Sequence, residues 1–214
     1  MGKEFTYKMS KQILERAGKP LRTREEAILL LLYTIRMFDA SIFIPEERNE
    51  KVIISIDKMN RIFYLIENKI FSMQFPFCIE HNSEQDSIVI YHSVTGTVIS
   101  PMVLSFLIEA FEKMNRIEVD FDTIFEIIME PEVKSEEFTS RIMWQLISYL
   151  LKYDLGYLRF DVDPEQENGK IHPLNHLDIC LDNAASYKIG LEREIEFEDM
   201  KNILDITTEC WYLT

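Results

Sequence analysis

Residues 171–182 read IHPLNHLDICLD. As a helix, this stretch would stack His172 and His176, four apart, on one face. As a strand from His176 onward, it would turn Leu177, Ile179 and Leu181 to one side and His176, Asp178, Cys180 and Asp182 to the other. Pro173 and the alternation that follows it favour the strand. That choice also separates the two histidines from the zinc-protease helix motif, which in addition requires a glutamate directly after the first histidine.

Two neighbouring stretches behave in the same way. In GYLRFDVDP (156–164), Leu158, Phe160 and Val162 alternate with Tyr157, Arg159, Asp161 and Asp163. In SYKIGLE (186–192), Tyr187, Ile189 and Leu191 alternate with Lys188, Gly190 and Glu192. The connection Pro164–Lys170, PEQENGK, holds turn residues and no apolar anchor, so it reads as a polar loop between strands. EFEDMKNILDITTECWYL (196–213) then reads as a final helix. The fold class expected is α+β: a helical N-terminal part packed on an antiparallel sheet, with a C-terminal three-strand segment and a final helix.

Upstream of these strands the helical signals are strong. Residues of about 6–17 read as a short helix closed by Gly18, with Pro20 beyond it. Thr23 followed by Glu26 forms a capping box, opening an apolar helix that runs to about Asp39. A third helix is expected within 50–72, where Ile62, Leu65, Ile66 and Ile70 recur at helical spacing, although VIISI at its front also suits a strand. FCIEH and SIVIYHS read as a hairpin around HNSEQD. Ser100-Pro101 starts a helix to about Met114, a short one follows near 121–129, and Ser135 caps a helix with Glu136 and Glu137 in its first turn. The expected organisation is a mainly helical part, 1–75, and an α+β part, 76–214, within one compact domain. His81 and His92, flanking the hairpin, read as surface residues, and Trp144 and Trp211 as core.

Composition narrows the function classes. With 47% hydrophobic and 28% charged residues the chain has an ordinary globular balance. The longest aliphatic run, Ala27–Ile35, is too short to span a bilayer, so no membrane association is expected. Cys78, Cys180 and Cys210 are far apart and form no paired motif, which fits reduced thiols in a cytoplasm. The formal net charge of -14 opposes a phosphate backbone, so nucleic acid is not an expected partner unless bound metal reverses the field locally. No Walker loop, dinucleotide glycine fingerprint or nucleophile elbow is present.

The candidate chemistry falls on the polar side of the three C-terminal strands. Asp161, Asp163, His176, Asp178 and Lys188 are the candidate catalytic set of a hydrolase; Arg159, His172, Asp182 and Glu192 are candidate binding residues. Asp161, Asp178 and His176 are the candidate metal ligands, since carboxylates suit Mg²⁺ or Mn²⁺ and imidazole admits softer ions. A metal beside a lysine can activate water against a phosphodiester. The competing expectation is an ordinary solvated sheet face whose charges make cross-strand pairs. On that view, neutralising Asp161 and Asp178 relieves repulsion and leaves the fold as stable or slightly more so.

The block R-F-D-V-D-P (159–164) followed by H-P-L-N-H-L-D-I (172–179) resembles the signature of an uncharacterised bacterial family, R-[FY]-D-x-D-P then H-P-x-x-H-x-H-[IL]-G with a last helix ending in an aromatic tail. Arg159, Phe160, Asp161, Asp163, Pro164, His172, Pro173 and His176 match, and Trp211-Tyr212 fits the tail. Asp178 stands where that pattern has its last histidine, and Cys180 where it has glycine. The resemblance implies a bacterial or phage-related cytoplasmic protein and no particular reaction. The leading expectation is a protein-interaction or accessory protein, in a phage-defence or toxin-type module, with a protein partner and no cofactor. The alternatives are a metal-dependent hydrolase of nucleic acid or nucleotides, using Mg²⁺ or Mn²⁺, and a small-molecule sensor.

Overall fold

The computed structural model describes residues 3–39, 49–56, 59–82, 87–116, 121–129, 139–179, 181, 187–209 and 211–212. Among these the fold is α+β, with every strand pairing antiparallel. In chain order the elements are β1 (Lys3–Lys8), α1 (Lys11–Ala17), α2 (Arg24–Asp39), β2 (Lys51–Ile56), β3 (Arg61–Ile66), β4 (Lys69–Gln74), β5 (Phe77–Asn82), β6 (Ser87–His92), α3 (Pro101–Met114), α4 (Phe121–Met129), α5 (Ser140–Lys152), β7 (Leu158–Val162), β8 (Asn175–Ile179), β9 (Tyr187–Leu191) and α6 (Phe197–Leu204). They divide into two compact units: Met1–Pro20, Ile44–Phe75 and Leu155–Thr214 form the first, and Leu21–Phe43 with Pro76–Asp154 the second.

The first unit is a seven-stranded sheet of order β1-β2-β3-β4-β7-β8-β9 with α1 and α6. This corrects the expected helix within 50–72 and with it the mainly helical character of residues 1–75. Ile62, Leu65, Ile66 and Ile70 satisfy a helical spacing, but the β-branched content of KVIISI (51–56) and the two-residue turn Glu67-Asn68 make a tight meander. Its strands are buried on both faces over their middles, which removes the alternation that normally marks a strand. Lys3–Lys8 is likewise a strand rather than part of a helix. The helix begins only after Ser10, whose side chain accepts from the Ile13 amide at 3.3 Å.

One sheet face carries Ile53, Phe63, Leu158, Phe160 and Leu177, closed by Ile195 and Met200. Helix α6 lies on it, with Phe197 edge-on to Phe63 at 5.2 Å. The expected apolar set is thus largely in place: Val162 and Ile179 pack against this core partly buried, and Leu181 is half-buried. Helix α6 is shorter than expected, ending at Leu204; Trp211 and Tyr212 lie beyond it, and Trp211 is exposed, with Arg193 over its ring at 5.9 Å.

The second unit joins α2, α3, α4 and α5 with the β5–β6 hairpin. The Thr23 capping box forms, with the Glu26 amide on Thr23 Oγ1 at 3.1 Å. Residues 27–35 of α2 are buried without interruption. Ser100 caps α3 with Pro101 in its first turn, as the sequence indicates. Helix α5 is capped by Thr139, and Ser135, Glu136 and Glu137 lie outside the described residues. Two expectations fail here: His92 is fully buried, and Trp144 is exposed. The side chain of His81 lies outside the description. No helix of the described residues is long and apolar enough to cross a membrane.

Candidate metal centre

Antiparallel register places the polar residues of β7, β8 and β9 in two rows on the face opposite the α6 core. Asp161 stands opposite His176, and His176 opposite Gly190; Arg159 stands opposite Asp178, and Asp178 opposite Lys188. Strand β4 extends both rows, with Lys69 opposite Asp161 and Phe71 opposite Arg159. Lys69 and Asp161 in one row, and Arg159, Asp178 and Lys188 in the other, therefore alternate in charge, the favourable cross-strand arrangement.

These side chains are not a solvated surface. His176 is 1% exposed and Asp178 6%. The Arg159 guanidinium donates from Nε to Asp161 Oδ2 at 2.6 Å and from Nη2 to Asp178 Oδ2, so one partly buried cation clamps both carboxylates. Burial works against its charge, but Tyr157, Asp161 and Asp178 outweigh that and raise its pKa. Beside it, burial pushes the Tyr157 phenol up to about 12. Burial also brings Lys69 down to about 8, against the pull of Asp161. Lys69 Nζ donates to the Ala17 and Gly18 carbonyls at 2.9 and 3.2 Å, where helix α1 ends.

Because Asp161 and Asp178 are both bonded to Arg159, they do not chiefly repel one another. This geometry argues against the expectation that neutralising both relieves repulsion: it would strip a partly buried guanidinium of its counter-charges.

The histidines are oriented. His176 Nδ1 lies 2.9 Å from the Pro173 carbonyl oxygen, which can only accept, so Nδ1 carries a hydrogen and, in the neutral ring, the lone pair is on Nε2. Nε2 faces Asp161 Oδ2 at 3.8 Å and Lys188 Nζ at 3.4 Å. His172 Nε2 accepts from the same ammonium at 2.6 Å, and its ring meets that of His176 edge-on at 4.8 Å. Gly190 makes this possible: a Cβ there would come 2.8 Å from Pro173 Cγ, pushing away the residue whose carbonyl orients His176.

One ligand atom each of Asp161, His176 and Asp178 lies within 4.8 Å of the others. Asp178 Oδ1 is buried without a hydrogen-bond partner, 3.9 Å from Lys188 Nζ; His172 Nδ1 is also buried and unpartnered. A mixed nitrogen and oxygen donor set with one histidine fixed through its second nitrogen suits Mn²⁺ or Zn²⁺ better than Mg²⁺, which takes oxygen alone.

Of the other candidates, Asp163 is half-buried past the end of β7, where its Oδ1 accepts from the Gln166 amide at 3.1 Å, a turn role apart from the cluster. Glu192 is exposed beyond β9, and Asp182 lies outside the described residues, as do Cys180 and Cys210. The loop 164–170 is exposed throughout, in keeping with its polar sequence. Sequence reasoning missed Lys69, hidden by the helical reading of 50–72, and the positioning roles of Pro173 and Gly190, whose signal was the proline itself and a glycine inside a strand. No protein-family model, curated protein or solved structure matches this chain.

Proposed function

We propose that the protein is a metal-dependent hydrolase of phosphoesters, nucleotides before long nucleic acids, with Asp161, His176 and Asp178 holding the ion. The observation that carries this reading is the orientation of His176: with Nδ1 donating to the Pro173 carbonyl, Nε2 of the neutral ring is directed between the buried Asp178, which has an unpartnered oxygen, and the partly buried Asp161. An ion bound there would polarise a phosphoryl oxygen and lower the pKa of bound water. Arg159 and Lys188 supply positive charge for an anionic substrate. The net charge of -14 weighs against a long polyanion and leaves small nucleotides as the favoured class.

The test combines calorimetric titration of the full chain with Mn²⁺ or Zn²⁺ and an assay on bis(p-nitrophenyl) phosphate and a nucleotide panel. Wild type should bind one ion saturably and cleave a substrate, and His176→Gln should lose both while remaining folded. Absence of saturable binding by either ion would remove this reading. A second reading, a protein-interaction module, is favoured by Ile171 and Tyr187, 82% and 57% exposed and each next in sequence to a cluster residue. The resemblance to a bacterial family and the cysteine usage support a bacterial, cytoplasmic setting. A phage-defence or toxin-type gene neighbourhood would support the interaction module.

A further inference from the structure

Lys188 occupies an unusual position for a surface lysine. Its ammonium lies 2.6 Å from His172 Nε2, 3.4 Å from His176 Nε2 and 3.9 Å from Asp178 Oδ1. Each of these three atoms is of a kind that ligates metal, two of them belong to the trio whose donors lie within 4.8 Å of one another, and a cation already sits among them. An ammonium can only donate, so both imidazole nitrogens facing it accept, and both rings carry their hydrogen on Nδ1. The tautomer that receives Lys188 is therefore the one a metal ion needs. The Asp178 oxygen is too far from Nζ for a hydrogen bond and has no other partner. The ammonium thus satisfies the two nitrogens and leaves the carboxylate under-coordinated.

From this placement we propose that the Lys188 ammonium is the resident cation of the site and competes with the metal for His172, His176 and Asp178, so that a divalent ion enters by displacing it. The inference rests on the reading of this cluster as a metal centre, and it adds His172 to the ligand set. Two physical terms set the competition. Entry of the ion breaks the contacts from Nζ to the imidazoles, and any ammonium left nearby repels the incoming charge. The Lys188 side chain is 38% exposed, so it has solvent to move into. Once displaced it remains beside the ion, where it can take up an anionic substrate group. Substrate binding and metal entry then favour one another, since each draws on the same lysine.

The experiment measures Mn²⁺ and Zn²⁺ dissociation constants by calorimetry for full-length wild type, Lys188→Gln and Lys170→Gln. Lys170 is an exposed lysine in the 164–170 loop, so its variant removes one positive charge from the same region without touching the donors. Lys188→Gln should bind about tenfold more tightly or better, with Lys170→Gln close to wild type. Equal or weaker binding by Lys188→Gln, with wild type still binding, would overturn the competition and leave the metal centre standing. An equal gain in Lys170→Gln would also overturn it, because the effect would then be general charge. If Lys188→Gln proves poorly folded by circular dichroism, Lys188→Met keeps the aliphatic stem and takes its place. Binding by neither wild type nor the two Lys188 variants would end both the inference and the metal reading. Binding by the Lys188 variants alone would support the competition for these donors while removing the reading of the wild type as a metal-dependent hydrolase.

Discussion

Arg159 bonds two carboxylates at once from a largely buried position, and this sets how the cluster responds to substitution. In the Asp161→Asn, Asp178→Asn double variant both counter-charges vanish while the guanidinium stays in place. Stability should drop by about 3 kcal/mol or more, as for other buried pairs broken from one side. Replacing Arg159 with Leu in that background should recover part of the loss, because no uncompensated charge then remains. Urea unfolding of the three proteins measures this. An unchanged or increased stability in the double variant would mean that the carboxylates repel each other more than Arg159 holds them.

At the level of elements, the β5–β6 hairpin ends on a fully buried histidine. His92 Nδ1 accepts from the Thr95 amide at 3.2 Å, its Nε2 is buried without a hydrogen bond, and the Tyr149 ring lies edge-on at 4.5 Å. Burial lowers its pKa from 6.5 to about 4. Between these values the unfolded chain binds a proton that the folded protein refuses. Stability from this residue is therefore complete above pH 6.5 and falls as pH drops toward 4. At pH 5 the loss relative to neutral pH should be about 2 kcal/mol, and His92→Phe should lack this component when both proteins are unfolded in urea at the two pH values. The same hairpin was legible in the sequence because turn residues separate two apolar runs, whereas the burial of its last residue was not: nothing local distinguishes a covered histidine from an exposed one. Strands β7, β8 and β9 were legible because one face is apolar and the other charged. Strands β2 to β4 were not, since covering both faces erases a period of two and leaves isoleucines that fit either pattern. The candidate site followed the strands that could be read. Its residues on β7, β8 and β9 were identifiable, its β4 member was not, and the burial that changes their chemical meaning is a tertiary property.

Across the molecule, the second unit is assembled from two separate stretches, Leu21–Phe43 and Pro76–Asp154. Helix α2 supplies nine successive buried residues, 27–35, and holds its unit through Tyr33 Oη on Glu112 at 2.5 Å and Arg24 on the Tyr153 carbonyl at 2.5 Å. A fragment of residues 76–154 should therefore lack cooperative unfolding and dispersed amide signals, and a fusion that restores residues 21–43 should regain both. A cooperative fold in the shorter fragment would show that α2 is dispensable to this unit. The same interleaving has a consequence in time. Strand β4 pairs with β7 in the sheet, yet residues 75–157 separate them in the chain. During synthesis at about 5–20 residues per second, the open edge of β4 waits for on the order of 4–16 s before its neighbour emerges. Through that interval an unpaired, apolar strand edge is available to any other extended chain. Slow decoding over the inserted stretch would lengthen this exposure and raise the aggregated fraction of newly made protein, with no change in the stability of the finished fold.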